Sequence, residues 1–185
     1  EADKEGNLES VKMPAYHSKN NDYQGNEACG CLMLPIKTTV RGTAPPCEAD
    51  DEDIIDETLK FFRANIFFRN FEVKGGADRT LLYLSLYVAQ VLKELDRQND
   101  KTQAAKDLHA LEIKSFPVPG EQGWTLGGMF PNPTSPADAD AFRAYFKQCK
   151  VEIGRRVLEI LYLPDGTKNK WWNMFAKRKF MGKTL

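Results

Sequence analysis

T-L-L-Y-L-S-L-Y-V-A-Q-V-L, residues 80–92, is the stretch that decides the fold. Apart from Thr80, Ser85 and Gln90 it is apolar, and read as a helix it is apolar almost all round. In a soluble protein such a helix is enclosed by others, because it has no face to give to water. It is also much shorter than the ~20 residues needed to span a bilayer. Gly75-Gly76 breaks the pattern upstream, and Asp78 offers a cap. Downstream, Lys93-Glu94 marks where the helix emerges into solvent. The pattern therefore predicts a helix over residues 77–97 at the centre of an all-α fold.

Further helices follow from periodicity. Ile55, Leu59, Phe62 and Ile66 recur at the 3.6-residue period, which predicts a helix over residues 53–70. The acidic cluster Asp50–Asp53 lies at its start, where carboxylates cap free N–H groups and offset the helix dipole. Ile54, Phe61 and Phe68 form a second apolar row, which packs on another element or meets a partner. A weaker pattern (Ala104, Leu108, Leu111) predicts a third helix over residues 101–111. Ser135-Pro136 opens a fourth, with Phe142, Phe146, Cys149, Ile153, Val157, Ile160 and Leu161 as its stripe. A short fifth helix is expected over residues 170–179. Residues 116–136 are too rich in Pro and Gly for a helix and form a long loop, a length that is often functional. Before the first helix, residues 31–40 alternate partly around Pro35 and read as an extended segment lying on other elements. The fold class is thus all-α, about five helices around one apolar helix, with an extended N-terminal segment. Residues 1–12 are polar and are expected to be a disordered extension, and residues 13–185 a single domain.

Composition narrows the function. Lys+Arg and Asp+Glu both number 26, so the formal net charge is zero. That argues against nucleic acid as the main partner, since phosphate binding needs a basic surplus. The four cysteines, Cys29, Cys31, Cys47 and Cys149, are too few for a disulfide scaffold, and Cys29-Gly30-Cys31 lacks zinc-site spacing. No basic start followed by an apolar run marks a secretory leader, and the chain reads as cytosolic or nuclear. Phosphate-loop and nucleophile-elbow motifs are lacking. Cys149 falls on an apolar stripe and reads as a small core residue, His109 reads as a surface residue, and His17 falls in a segment expected to be flexible. Neither a catalytic residue, a cofactor nor a metal is expected.

The most aromatic and most basic stretch is K-W-W-N-M-F-A-K-R-K-F-M-G-K, residues 170–183. It fits a membrane-surface helix, a nucleic-acid patch, a calmodulin-type target or a plug that closes the core. Its cations are not gathered on one helical face, and a short helix is a poor membrane anchor alone. Core anchoring and protein docking remain the better readings, with Trp171 and Trp172 covering the end of a bundle. Lys177, Arg178 and Lys179 then favour the dipole at the helix C-terminus. The candidate docking or anchoring residues are Trp171, Trp172, Phe175, Lys177, Arg178 and Lys179.

Several blocks also resemble a known family. M-P-A-Y-H-S (13–18), L-P-I (34–36), G-T-A-P-P (42–46), D-I-I-D-E-T-L-K-F-F-R-A-N-I-F-F-R-N-F-E (53–72), A-D-R-T-L-L-Y-L-S-L-Y (77–87), F-P-V-P-G-E (116–121) and K-W-W-N-M-F-A-K-R-K-F-M (170–181) are similar, in order and spacing, to subunit 3 (about 21 kDa) of the actin-related protein 2/3 complex. Residues 1–12 precede the family's usual start at Met13, and residues 124–136 match loosely. The resemblance implies an all-helical, non-catalytic structural subunit of a seven-subunit complex, set chiefly against the larger actin-related subunit. That complex nucleates actin and forms branched filaments, and ATP binds the actin-related subunits. It further implies contact with actin filaments through the complex, no nucleic acid, no membrane insertion, and a cytoplasmic, cytoskeletal location at the cell cortex and sites of branched assembly. The alternative is a monomeric helical adaptor that uses its basic aromatic tail on acidic lipid or a partner peptide.

Overall fold

The computed structural model describes residues 15–185, so the expected disorder of residues 1–12 lies outside the described residues. From Gly76 to Glu94 the chain forms one long helix, and its middle is sealed: Leu81, Leu82, Tyr83, Leu84, Leu86, Tyr87, Val88, Val91 and Leu92 are all fully buried. This is α2 in chain order. Around it stand α1 (Ile54–Asn65), α3 (Lys101–Glu112) and α4 (Pro136–Leu161), with a short α5 (Lys170–Asn173) against α4. Ser85 and Thr80, polar residues inside α2, both find acceptors. Ser85 donates to the Leu81 carbonyl at 2.7 Å, and Thr80 donates to the Leu32 carbonyl at 2.7 Å.

The all-α expectation needs one correction. β1 (Glu27–Ala28) and β2 (Cys31–Leu32) pair antiparallel as a small hairpin, pressed on α2 and α4. Its two-residue turn is Cys29-Gly30, with φ of +49° and +73°. Two successive positive φ values are what a tight hairpin needs to match strand twist. Gly30 is forced there, because an added Cβ would meet Pro131 at 2.7 Å. The Cys29-Gly30-Cys31 triplet is thus a turn and the first residue of β2. Beyond it Leu34 and Ile36 are buried, so the extended segment does lie on the helices, and Tyr145 donates to the Leu34 carbonyl at 2.9 Å.

Helix ends depart from the periodic pattern. α1 stops at Asn65, five residues short of expectation, where the backbone passes into i→i+3 turns (Phe67 N to the Ala64 carbonyl, Phe68 N to Asn65), and the buried Asn65 side chain ties this end to the N-terminal segment. Its Oδ1 accepts from Tyr16 N at 2.8 Å and its Nδ2 donates to the Tyr16 carbonyl at 2.9 Å. α2 starts at Gly76 with Gly75 as N-cap, and the cap is supplied from outside the helix: Asn21 Oδ1 accepts from Asp78 N at 3.0 Å. Asp78 instead accepts from Ser18 N and Lys74 N and lies 2.7 Å from His17 Nδ1. His17, expected in a flexible segment, is thus held between Asp78 and the Phe71 ring. α4 begins as expected, Ser135 accepting from Asp138 N and Pro136 standing at the first helical position. The Pro- and Gly-rich loop folds back on the core. Trp124 lies parallel to Tyr83 at 6.2 Å and edge-on to Phe130 at 5.3 Å.

A largely enclosed arginine ties these parts together. Arg156 of α4 directs all five N–H groups at acceptors: Asp53 twice (2.8 and 2.7 Å), Asp56, Glu152 and the Lys37 carbonyl (2.8 Å each). Asp53 is also the N-cap of α1, in a reciprocal capping box with Asp56. The acidic cluster therefore caps a helix, as expected, and also clamps α1 and the extended segment onto α4.

Candidate docking face

The tail behaves differently from a ten-residue helix. α5 ends at Asn173, and the chain continues in tighter i→i+3 turns: Phe175 N to the Trp172 carbonyl, Ala176 N to Asn173, and Arg178 N to Phe175. Short helices are marginal without packing, so the apolar contacts set the backbone here. Trp172 lies 8% exposed, parallel to Phe62 at 6.0 Å, under the Arg63 guanidinium. Phe175 sits edge-on to Phe62 and Phe67, and Phe180 edge-on to Phe71. These rings close the end of the core beside α1.

Trp171 does the opposite. It is 61% exposed, with Lys170 Nζ 5.1 Å from its ring. The expectation that both tryptophans cover the bundle is therefore half right: Trp172 and Phe175 anchor, while Trp171 faces water. Met174 and Phe67 are also more than half exposed, and the Arg178 guanidinium lies 4.5 Å from the Phe67 ring. Farther along α1, Phe61 of its second apolar row stacks on the exposed Tyr16 at 5.0 Å. The second row thus partly packs on the N-terminal segment.

Lys177, Arg178 and Lys179 are exposed and stand past the end of α5, so they do not serve a helix dipole as expected. Among the described residues none of the three pairs with a carboxylate of this chain. With Lys93, Arg97 and Lys183 they line a groove of about 630 Å³ between the tail and α2, which also carries Glu94 and Asp96. The six cationic side chains outnumber the two carboxylate side chains on a chain whose formal net charge is zero, so the groove is a local positive surface.

Of the six residues singled out from sequence, the fold brings Trp172 and Phe175 into the core. It leaves Trp171, Lys177, Arg178 and Lys179 on the surface. Phe67 and Met174 were missed. Phe67 lies just past the true end of α1, and the periodic pattern had drawn that helix onward through it. Cys149 is fully buried, and burial raises its thiol pKa well above the ordinary value, consistent with a core residue. His109 is a surface residue near Glu112. No helix among the described residues is long and apolar enough to cross a membrane.

An exposed aromatic and methionine surface beside unpaired cations can bury apolar area and receive carboxylates, which is the composition of a protein-docking face. The fold and face together define a helical interaction protein. Residues 13–185 match the family described as P21-Arc, the ARP2/3 complex ARPC3 (21 kDa) subunit. The chain is 45% identical over 167 residues to "Actin-related protein 2/3 complex subunit 3" of Arabidopsis thaliana, covering 90% of this chain and 96% of that protein. The Dictyostelium discoideum protein of the same name is 44% identical, covering 92% and 99%. That of Saccharomyces cerevisiae is 38% identical, covering 94% and 100%. The chain belongs to the family of subunit 3 of the actin-related protein 2/3 complex.

Proposed function

We propose that this chain works as a non-catalytic structural subunit of an actin-related protein 2/3 complex, with the tail face as a docking surface for an acidic partner, chiefly the larger actin-related subunit. Family membership supports the assembly role and favours it over a free-standing adaptor. The observation that carries the docking face is the cation set Lys177, Arg178 and Lys179, unpaired within the described chain and flanked by exposed Trp171 and Met174. A partner that supplies carboxylates and apolar contacts would use both halves of it. The rigid platform beneath comes from Trp172, Phe175 and Phe180, which fix the tail to α1 and its flank. On this reading the chain works in the cytoskeleton, at the cortex and at sites of branched actin assembly.

The test combines Trp171→Ala with Lys177→Glu and Arg178→Glu. Exposed charges contribute little to stability, so circular dichroism and melting of the subunit should stay near wild type. Reconstituted complex should then show weaker incorporation of the subunit and slower pyrene-actin polymerisation with fewer branches. Normal incorporation and branching would leave the tail cations as a solvated chain end. Salt-sensitive binding of the free chain to acidic vesicles, with no incorporation into a complex, would support the adaptor instead.

A further inference from the structure

The aromatic core between α2 and α4 encloses a cation that the proposed docking face does not use. Lys150 of α4 is only 6% exposed. Its Nζ lies 3.4 Å from the centre of the Phe116 ring and 5.2 and 5.4 Å from those of Tyr87 and Tyr83. Among the described residues it has no carboxylate within ion-pair distance. Tyr87 is 1% exposed, and among the described residues its hydroxyl has no hydrogen-bond partner. Both side chains line one cavity of about 230 Å³, walled by Tyr83, Phe116 and Trp124, with Lys114 and Leu185 also on its lining.

Ring faces attract an ammonium, but they offset only part of the cost of removing it from water. Burial accordingly holds the Lys150 amine down at about 7. A buried hydroxyl without a partner carries its own desolvation cost. One kind of guest relieves both costs: an acceptor with negative charge and two oxygens. The surrounding rings require the remainder of that guest to be apolar and compact.

We propose that this cavity is a binding site for a small organic carboxylate with an aromatic or branched apolar body, held by Lys150 Nζ and the Tyr87 hydroxyl between the Phe116 and Trp124 rings. The carboxylate accepts one hydrogen bond from each donor. Its body replaces cavity space beside Tyr83. Lys114, at the edge, adds positive potential along the way in. The site adjoins the tail groove, with Gln90 and Leu185 lining both, but its two donors, Lys150 and Tyr87, are not among the residues of the tail face.

The experiment titrates the full chain with 3-phenylpropionate and, in parallel, with the neutral 3-phenylpropanamide. Trp124 fluorescence reports occupancy and calorimetry reports affinity. The acid should quench saturably, and the amide should bind about tenfold more weakly or worse, as expected when a charge-assisted hydrogen bond is lost. Lys150→Met keeps the apolar stem and should lose the preference for acid over amide, while Tyr87→Phe should weaken the acid and keep that preference. The comparison of acid with amide is made on the unaltered chain, so it stands even if a variant misfolds. Equal affinity for acid and amide, an acid preference that survives in Lys150→Met, or no saturable quenching by the acid would each overturn the site.

Discussion

Arg156→Ala should be among the most damaging substitutions in the chain that leave the apolar core intact. The side chain is 13% exposed and fills all five donor positions. Removing it strands Asp53 and Glu152, whose side chains are 0% and 1% exposed. Breaking a buried pair by deleting one partner costs about 3–5 kcal/mol. The lower end applies here, because Asp53 keeps hydrogen bonds from Asp56 N and Lys37 N, and Glu152 keeps Thr38 and Arg155. A loss of about 3 kcal/mol corresponds to roughly 6–12 °C in Tm for a chain of this size. Burial alone would raise the Asp53 and Glu152 carboxyls, but the hydrogen bonds more than offset it and hold both below the ordinary value. A lowered folded-state pKa gives stability that is present above the unfolded value, about 4, and lost as pH falls through the folded value. The gap between wild type and Arg156→Ala should therefore narrow below about pH 4. Urea unfolding followed at 222 nm, from pH 7 down to pH 3, measures both effects. A loss under about 1 kcal/mol at pH 7, as for an exposed pair, would refute the clamp.

Trp172→Ala should cost about 3 kcal/mol, the low end for a large ring at the margin of a core, while Trp171→Ala should stay within about 0.5 kcal/mol; paired denaturant curves decide. Lys150→Met should raise stability at pH 7. Burial lowers the folded-state amine to about 7, below its ordinary value, so the unfolded chain binds more protons above that pH and wild type gains stability as pH rises. The advantage of the methionine variant should accordingly shrink between pH 7 and 10, and a constant advantage would count against a buried ammonium. Glu112 is pushed the other way, up to about 7 by burial. Its stabilising contribution is full below the ordinary carboxylate value and is lost as pH rises through about 7. Glu112→Gln should flatten that slope in melting curves taken from pH 4 to pH 8.

How much of this was legible depended on whether a residue's role is local. α2 was readable because a helix without a polar face has one solution, enclosure, whatever encloses it. The start of α4 was readable because Ser135, Pro136 and Asp138 act within one turn. The end of α1 was not, since its periodicity runs on past Asn65 although the backbone there turns into i→i+3 bonds, and the contact that fixes this end reaches Tyr16, 49 residues earlier. The hairpin was hidden for a similar reason. Two-residue strands carry no period, and the Cys29-Gly30 turn places a cysteine at a positive φ, where Asn or Asp would have announced it. Lys150 did leave a trace. It falls four residues after Phe146 and three before Ile153, on the apolar stripe of α4, where a cation is out of place.

The docking face shows where reading a sequence by residue type meets its limit. Trp171 and Trp172 are chemically identical neighbours, and helical spacing alone would pair Trp171 with Phe175 four residues on. The chain instead buries Trp172 and Phe175 together against Phe62, and the turn geometry after Asn173 leaves Trp171 outside. Which ring is inside is set by α1, more than a hundred residues earlier, through Phe62 and Arg63. That division gives one short segment two separable jobs: a ring that holds the tail in place, and a neighbour displayed by it. A docking surface built on a mobile end would lose affinity to the entropy of ordering it. On the proposed docking role, Trp172 removes that cost in advance, because it holds the exposed Trp171, Lys177, Arg178 and Lys179 on a fixed base.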